Sequence, residues 1–358
     1  MKKRMQWIDI SKGILTFIIV LLHIDYDFNV YFANFTGLFK VVVFFCIAGL
    51  TLSEKSLFDT KIFINNKFRK LYSKIIFTGL LAVALHNAFI KVSFYSTDIV
   101  YSGKNMKFYL LSDYIKQIFA TIFLANREVI IGPLWYANVL FMALVGIAII
   151  NYICGKLVPN EKYKRLIRLI LCTMCMLISW VLTDIIGFTI PRFNNTLTAI
   201  FLIDFCQFIY SYLKVQFVNL NMFFICLCIL LLLPLFGSIE MNLNVFNNPL
   251  YLIVSAFVGM YVVFFIAKKL EKINLINKLF SDIGKFSFEI MALQFFSFKL
   301  GAIIVGVSPS GLTPKADNFL LVVYYFLFGI MCPIFIGRLI KKVIEIKKGG
   351  IKWKKYQS

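Results

Sequence analysis

The segment from Trp7 to His23 reads WIDISKGILTFIIVLLH and carries three groups able to do chemistry: Asp9, Lys12 and His23. An imidazole has an unperturbed pKa of about 6.5 and can take or give a proton near neutral pH. A lysine ammonium holds an anion as a point charge. The rest of the segment is fit for lipid, where ionisable side chains are costly and mark function by default. Lys12 and His23 are 11 residues apart. Three helical turns take about 10.8 residues, so both project from one face. Asp9 stands one turn before Lys12 and is placed to pair with it. Thr16 and Val20 continue the stripe. At about 1.5 Å per residue, His23 lies roughly 16 Å beyond Lys12. Taken alone, a plainer arrangement serves as well. Lys12 then snorkels to headgroups, and His23 ends the helix with Asp25 or Asp27 beside it in water.

The elements that must position these groups follow from composition. The chain has 358 residues, of which 60% are hydrophobic, and it contains 40 Phe. A soluble domain is about half apolar or less. Stretches such as LWYANVLFMALVGIAII (134–150) and FVNLNMFFICLCILLLLPLFG (217–237) match the length needed to cross a hydrocarbon core of about 30 Å. A barrel would show short alternating strands instead. The fold class expected is all-α, a polytopic membrane helix bundle of about ten transmembrane helices. Their spans are 7–25, 37–53, 73–91, 134–153, 166–187, 197–213, 217–237, 249–267, 287–306 and 318–340. The piece YIKQIFATIFLA (114–125) is too short to cross, carries Lys116 and reads as an interfacial or re-entrant helix.

Charge orients the bundle. The net charge is +21, and the basic residues are scattered between apolar spans. They do not form the gathered footprint of a nucleic-acid-binding surface. They alternate instead: the N-terminus, 55–74, 156–168, 268–285 and the C-terminal tail are rich in Lys and Arg. Segments 24–36 and 238–248 have none, and 188–196 has only Arg192. This is the positive-inside pattern with both termini cytoplasmic, and it makes membrane lipids the natural surroundings. MKKRMQW and the apolar run after it mimic a signal peptide, but LLHIDYDF follows where a cleavage site would stand, so a retained first helix is expected. Residues 1–345 form one membrane domain and 346–358 a basic cytoplasmic tail. The segment 92–133 is the only outside stretch long enough to fold over a site. Eight cysteines lie in or at the ends of apolar spans. Cys172 and Cys175 form a CxxC with no histidine near, so small buried hydrophobes are expected and no metal site. No internal repeat of the inverted-transporter kind is visible.

Several pieces together resemble the integral-membrane acyltransferase-3 family, including fucose 4-O-acetylase-like enzymes. That family opens with an Asp, an Arg or Lys, ten residues and a His; Lys12 and His23 fit, with Lys for the commoner Arg. VVVFFCIAGLTLSEK (41–55) resembles its second helix, with Ala48 for a Ser and Gly49 kept. FINNKFRKLYSKII (63–76) is similar to its RxxR stretch, with Lys67 and Lys70 in the Arg positions and Arg69 between. GPLWYANVLF (132–141) matches a PLWF segment. IGKFSFEIMALQFFSFKLG (283–301) looks like GKxSxxIYxLH, but Gln294 stands where His is usual.

The resemblance implies O-acyl transfer, from acetyl-CoA to a hydroxyl of a cell-surface glycan or its lipid-linked precursor. His23 is then the general base, or it first accepts the acetyl group itself. Coenzyme A is anionic and cytoplasmic, and Lys12, Lys67, Arg69 and Lys70 lie at the inner boundary to hold it; 67–70 also reads as an ordinary positive-inside loop. Asp9 neutralises Lys12 and sets its rotamer. Trp135, Arg127, Gln294 and Lys299 are candidate acceptor contacts, with Trp135 equally an interfacial anchor. His86 is expected to be a satisfied buried imidazole. Glu289 and Gln294 share a face poorly, and Asp184 and Asp204 are intramembrane acids without an evident partner. Richness in Ile, Lys, Phe and Asn suits an AT-rich bacterial genome, which places the protein in a bacterial cytoplasmic membrane. Competing functions are a flippase or transporter for lipid-linked glycans, a glycan polymerase, or a non-catalytic membrane scaffold.

Overall fold

The structure is a computed structural model that describes residues 5–97, 100–101, 104–125, 128–309, 311 and 313–355. The first helices in chain order are α1 (Gln6–Leu22), α2 (Val30–Gly37), α3 (Val42–Thr51) and α4 (Glu54–Leu57). α5 (Thr60–Lys67), α6 (Ser73–Ala84), α7 (His86–Lys91) and α8 (Leu111–Ile122) follow. The second half comprises α9 (Trp135–Leu157), α10 (Glu161–Trp180), α11 (Phe193–Gln207) and α12 (Leu220–Leu232). It ends with α13 (Pro249–Leu270), α14 (Asn274–Lys285), α15 (Ser287–Ile304) and α16 (Phe319–Lys355). Two short antiparallel hairpins, β1 (Val100–Tyr101) with β2 (Lys104–Asn105) and β3 (Ile239–Glu240) with β4 (Val245–Phe246), qualify the all-α expectation.

Short polar side chains start many of these helices by accepting orphan backbone N–H groups. Asn29 accepts from Tyr31, Asp59 from Ile62, Asn160 from Lys162 and Asn219 from Met222. Asn248 accepts from Tyr251, with Pro249 in the first helical position, where its missing N–H costs nothing.

Each of the ten expected spans coincides with helix. Among the described residues, six helical stretches are long and apolar enough to cross a membrane: Val30–Thr51, Val129–Leu157, Glu161–Ile185, Pro249–Leu270, Ser287–Ile304 and Phe319–Ile346. The boundary expected at 346 falls inside α16, which runs on to Lys355.

α11 lies at the centre. Twelve of its 15 residues are buried, the mark of a helix enclosed on all sides. It packs on α3, α9 and α10. α10 and α16 lie at the periphery and turn Ile170, Met174, Leu327, Met331 and Phe335 outward, an apolar surface suited to lipid. α8 exposes Leu111, Ile115, Ile118 and Ile122 at helical spacing, which fits the expected interfacial helix.

α14 was not foreseen. It lies in the basic stretch between two spans and packs along α1. The two helices cross where glycine allows backbone contact. A Cβ on Gly13 would collide with the Phe280 carbonyl, and one on Gly284 with the Asp9 carbonyl. This crossing fixes α1, and with it Asp9, Lys12 and His23.

Asp204 has partners after all. Arg165 Nη1 donates to both of its carboxylate oxygens, at 2.9 and 2.7 Å, and Arg168 Nε donates to one at 2.9 Å. Arg168 also reaches Glu54, Asn151 and Gln207. The two arginines, read from sequence as part of a cytoplasmic loop, are buried inside the bundle.

Candidate active site

α1 ends at His23, whose backbone N–H still bonds Ile19 and Val20. The imidazole therefore leaves the helix at a fixed angle. Its Nδ1 lies 3.3 Å from Gln294 Oε1 on α15, and Phe295 meets the ring edge-on at 5.3 Å. With the amide oxygen toward the ring, Nδ1 carries the hydrogen and Nε2 keeps its lone pair. Gln294 is fully buried, and its Nε2 has no hydrogen-bond partner among the described residues.

His23 opens onto a cavity of about 230 Å³. Lys40, Trp135, Tyr136, Glu240, Asn242 and Met291 line it too. Lys40 sits in the turn between α2 and α3. Trp135 and Tyr136 open α9, and the Tyr136 hydroxyl donates to the Phe44 carbonyl at 3.1 Å. Glu240 and Asn242 come from the β3–β4 hairpin. Asn195 ties that hairpin to α11 by donating to the carbonyls of Met241 and Asn242. Asn244, at φ +60°, is bonded to Ser179 and Thr198. At the rim, the Arg192 guanidinium lies 5.6 Å from the Trp135 ring centre and reaches Asn242 Oδ1 at 3.4 Å. Arg192 adopts a left-handed φ of +69°, which an ordinary side chain holds only when its surroundings impose it.

A cavity lined by an imidazole, aromatic rings, a lysine and hydrogen-bonding side chains has the kinds of group that proton transfer requires. A family model described as an acyltransferase domain, of the acyltransferase-3 type, matches residues 5–338. The chain belongs to that family. None of the curated proteins and none of the solved structures matches it.

In this membrane acyltransferase the residues expected from sequence fall into three groups. His23, Gln294 and Trp135 come together at the cavity, with Gln294 acting on His23 rather than lining the space. Asp9 is buried and Lys12 half-buried toward the other end of α1. Lys67 is half-buried with its ammonium 5.0 Å from the Phe63 ring. Burial pulls its pKa down, and Lys70 adds to the effect. Arg69 and Lys70 are exposed on the π-helical turn Phe68–Tyr72.

Lys299 is a correction. It is completely buried, and its ammonium donates to the carbonyls of Phe94, Pro309 and Gly311 at 2.7, 2.8 and 2.6 Å. All three donors are used within the protein, so it has none left for an acceptor. Arg127 lies outside the described residues. His86 is the satisfied buried imidazole expected, and Glu289 faces Lys74 at 3.8 Å.

Sequence reasoning missed Lys40, Tyr136, Glu240, Asn242 and Arg192. Lys40 left a signal, a lone cation in the apolar run LFKVVVFF. Glu240 and Asn242 lie in a short loop whose sequence stands out only for its lack of basic residues.

Proposed function

We propose that the protein is an O-acyltransferase that moves an acetyl group from cytoplasmic acetyl-CoA to a hydroxyl of a cell-surface glycan or its lipid-linked precursor. The observation that carries this reading is His23, held at Nδ1 by Gln294 and opening on a small cavity with aromatic and polar walls. The acceptor hydroxyl enters beside Nε2, which takes its proton as the oxygen attacks the thioester carbonyl. A C–O bond forms, the C–S bond breaks, and coenzyme A leaves as the thiolate, to which the imidazolium returns the proton.

The donor enters from the opposite face. Lys12, Lys67, Arg69 and Lys70 supply cations for its phosphates, and the π-helical turn presents Arg69 and Lys70 outward. π-Turns recur at functional sites. Between Lys12 and His23, the buried Thr16 hydroxyl has no hydrogen-bond partner among the described residues. It offers the donor's arm a polar contact on the α1 stripe. Asp9 holds Lys12. In this proposal ten crossings with both termini cytoplasmic put the donor cations inside and His23 outside, in a bacterial cytoplasmic membrane. A flippase has less support, because the sequence shows no internal repeat of the transporter kind.

The test is the O-acetyl content of surface glycans in cells carrying the wild type or His23→Ala at matched protein level. The expected result is loss of O-acetyl groups in the variant. Unchanged O-acetylation would remove His23 from the reaction.

A further inference from the structure

A second buried cluster lies outside the cavity and has no part in the proton transfer above. Glu128 is buried and, among the described residues, pairs with side chains from three separate parts of the chain. Tyr109 donates to Oε1 at 2.6 Å, Tyr95 donates to Oε2 at 3.1 Å, and His86 Nδ1 lies 3.1 Å from Oε2. The other imidazole nitrogen of His86 faces the Lys107 carbonyl at 3.0 Å, and its ring stacks on Tyr109 at 3.5 Å. Both imidazole nitrogens thus face acceptor atoms. A charge buried among apolar residues is stable only when saturated in this way.

The cluster reaches the cavity through two routes. Glu128 is followed directly by the 3₁₀ turn Val129–Leu134, and the Ile130 N–H donates to the Tyr95 hydroxyl. Pro133 at the end of that turn and Trp135 after it line the cavity. Gly132 lies so close to Phe295 that a Cβ there would stand 3.0 Å from the ring, and Phe295 is the ring that meets His23 edge-on. The second route starts one residue from Tyr95. The Phe94 carbonyl accepts from buried Lys299 on α15, the helix that carries Gln294.

We propose that Glu128 is a positioning residue for the acceptor side of this site. Its carboxylate clamps Tyr95 and Tyr109 of the outer segment and His86 of α7, and so holds the turn that sets Pro133, Trp135 and the Phe295 ring against His23. The functional part rests on the acyl-transfer reading above; the structural part does not.

The test uses the full-length protein and the variants Glu128→Gln, Glu128→Asp and Tyr109→Phe. Amide hydrogen exchange is read at Ile130, Ile131, Gly132 and Leu134 in purified protein without substrate. Glu128→Gln is expected to exchange about tenfold faster there, the scale of one lost charged hydrogen bond, and Glu128→Asp to recover part of the protection. In proteoliposomes, transfer from labelled acetyl-CoA to de-O-acetylated surface glycan of the expressing cells is then measured. Glu128→Gln should raise the KM for glycan about tenfold and leave that for acetyl-CoA within about twofold. Wild-type exchange rates in a folded Glu128→Gln protein would overturn the clamp. Faster exchange with an unchanged glycan KM would overturn its link to the acceptor. If the wild type transfers no acetyl group, the acyl-transfer reading fails and hydrogen exchange alone decides the clamp. Should Glu128→Gln not fold, Tyr109→Phe removes one of the three bonds and is read against the same outcomes.

Discussion

At the scale of single residues, the pairing of His23 with Gln294 makes the sharpest demand. An imidazole works as a base only when the correct nitrogen is free, and the side chain on Nδ1 decides which one that is. His23→Ala should lower the rate of acetyl transfer by about 10²- to 10⁴-fold, the usual contribution of a positioned acid–base group. Gln294→Ala leaves the base in place but releases its orientation. A smaller loss of about tenfold in turnover is expected, with little change in the KM for acetyl-CoA. Steady-state kinetics in proteoliposomes measures both, and equal losses in the two variants would mean that Gln294 itself touches the reacting atoms. Sequence marked each residue separately but not their contact, because 271 positions separate them. It also held Gln294 to be a departure from the family pattern. The structure gives that residue a task compatible with an amide, since accepting one hydrogen bond requires no titration.

At the scale of elements, the apolar helices were legible because length and hydropathy report them directly. Their buried polar ties were not. Arg165 and Arg168 carry the same charge pattern as any cytoplasmic loop, and only the fold turns them inward onto Asp204. Their partners lie on α4, α9 and α11, which no local spacing links. Arg168→Met would leave Asp204 held by Arg165 alone and deprive the buried Asn151 and Gln207 oxygens of their donor, and should cost about 1–3 kcal/mol. Thermal unfolding in detergent reads this as a lower midpoint, and restoring neutrality with Asp204→Asn should recover part of it. α14 escaped notice for a related reason: at 12 residues it is too short and too basic to register as a span. The outer clamp makes a prediction in pH. Burial, and then the Glu128 charge, raise the Tyr109 phenol well above its ordinary pKa. The unfolded chain loses that proton at about pH 10, while the folded protein keeps it. The stabilisation from Tyr109 is therefore complete below about pH 10 and declines as pH rises past it. Thermal midpoints across alkaline pH should fall less steeply in Tyr109→Phe than in the wild type.

At the scale of the whole molecule, α1 joins two chemistries at two depths. Toward its start α1 packs on α14 and Trp7 lies under Lys268, while its His23 end shares a cavity with the β3–β4 hairpin and the start of α9. The cavity at His23 is about 230 Å³, smaller than the usual range of about 300–1,000 Å³ for a drug-sized ligand. It suits the end of an acceptor, one sugar ring, rather than a donor and acceptor side by side. In the proposed reaction coenzyme A stays largely at the Lys12 level while its thioester reaches past Thr16. This arrangement predicts a strict sidedness. In sealed proteoliposomes sorted for one orientation, acetyl-CoA on the Lys12 side and glycan on the His23 side should give transfer. Both substrates on either single side should give almost none until the vesicles are permeabilised. Replacing Lys12 by Gln should raise the KM for acetyl-CoA and spare that for glycan, because its charge acts on the donor alone. Efficient transfer with both substrates on the His23 side would place the donor beside the acceptor. The stripe from Lys12 to His23 would then be a way of packing α1 and not a route for the acetyl group.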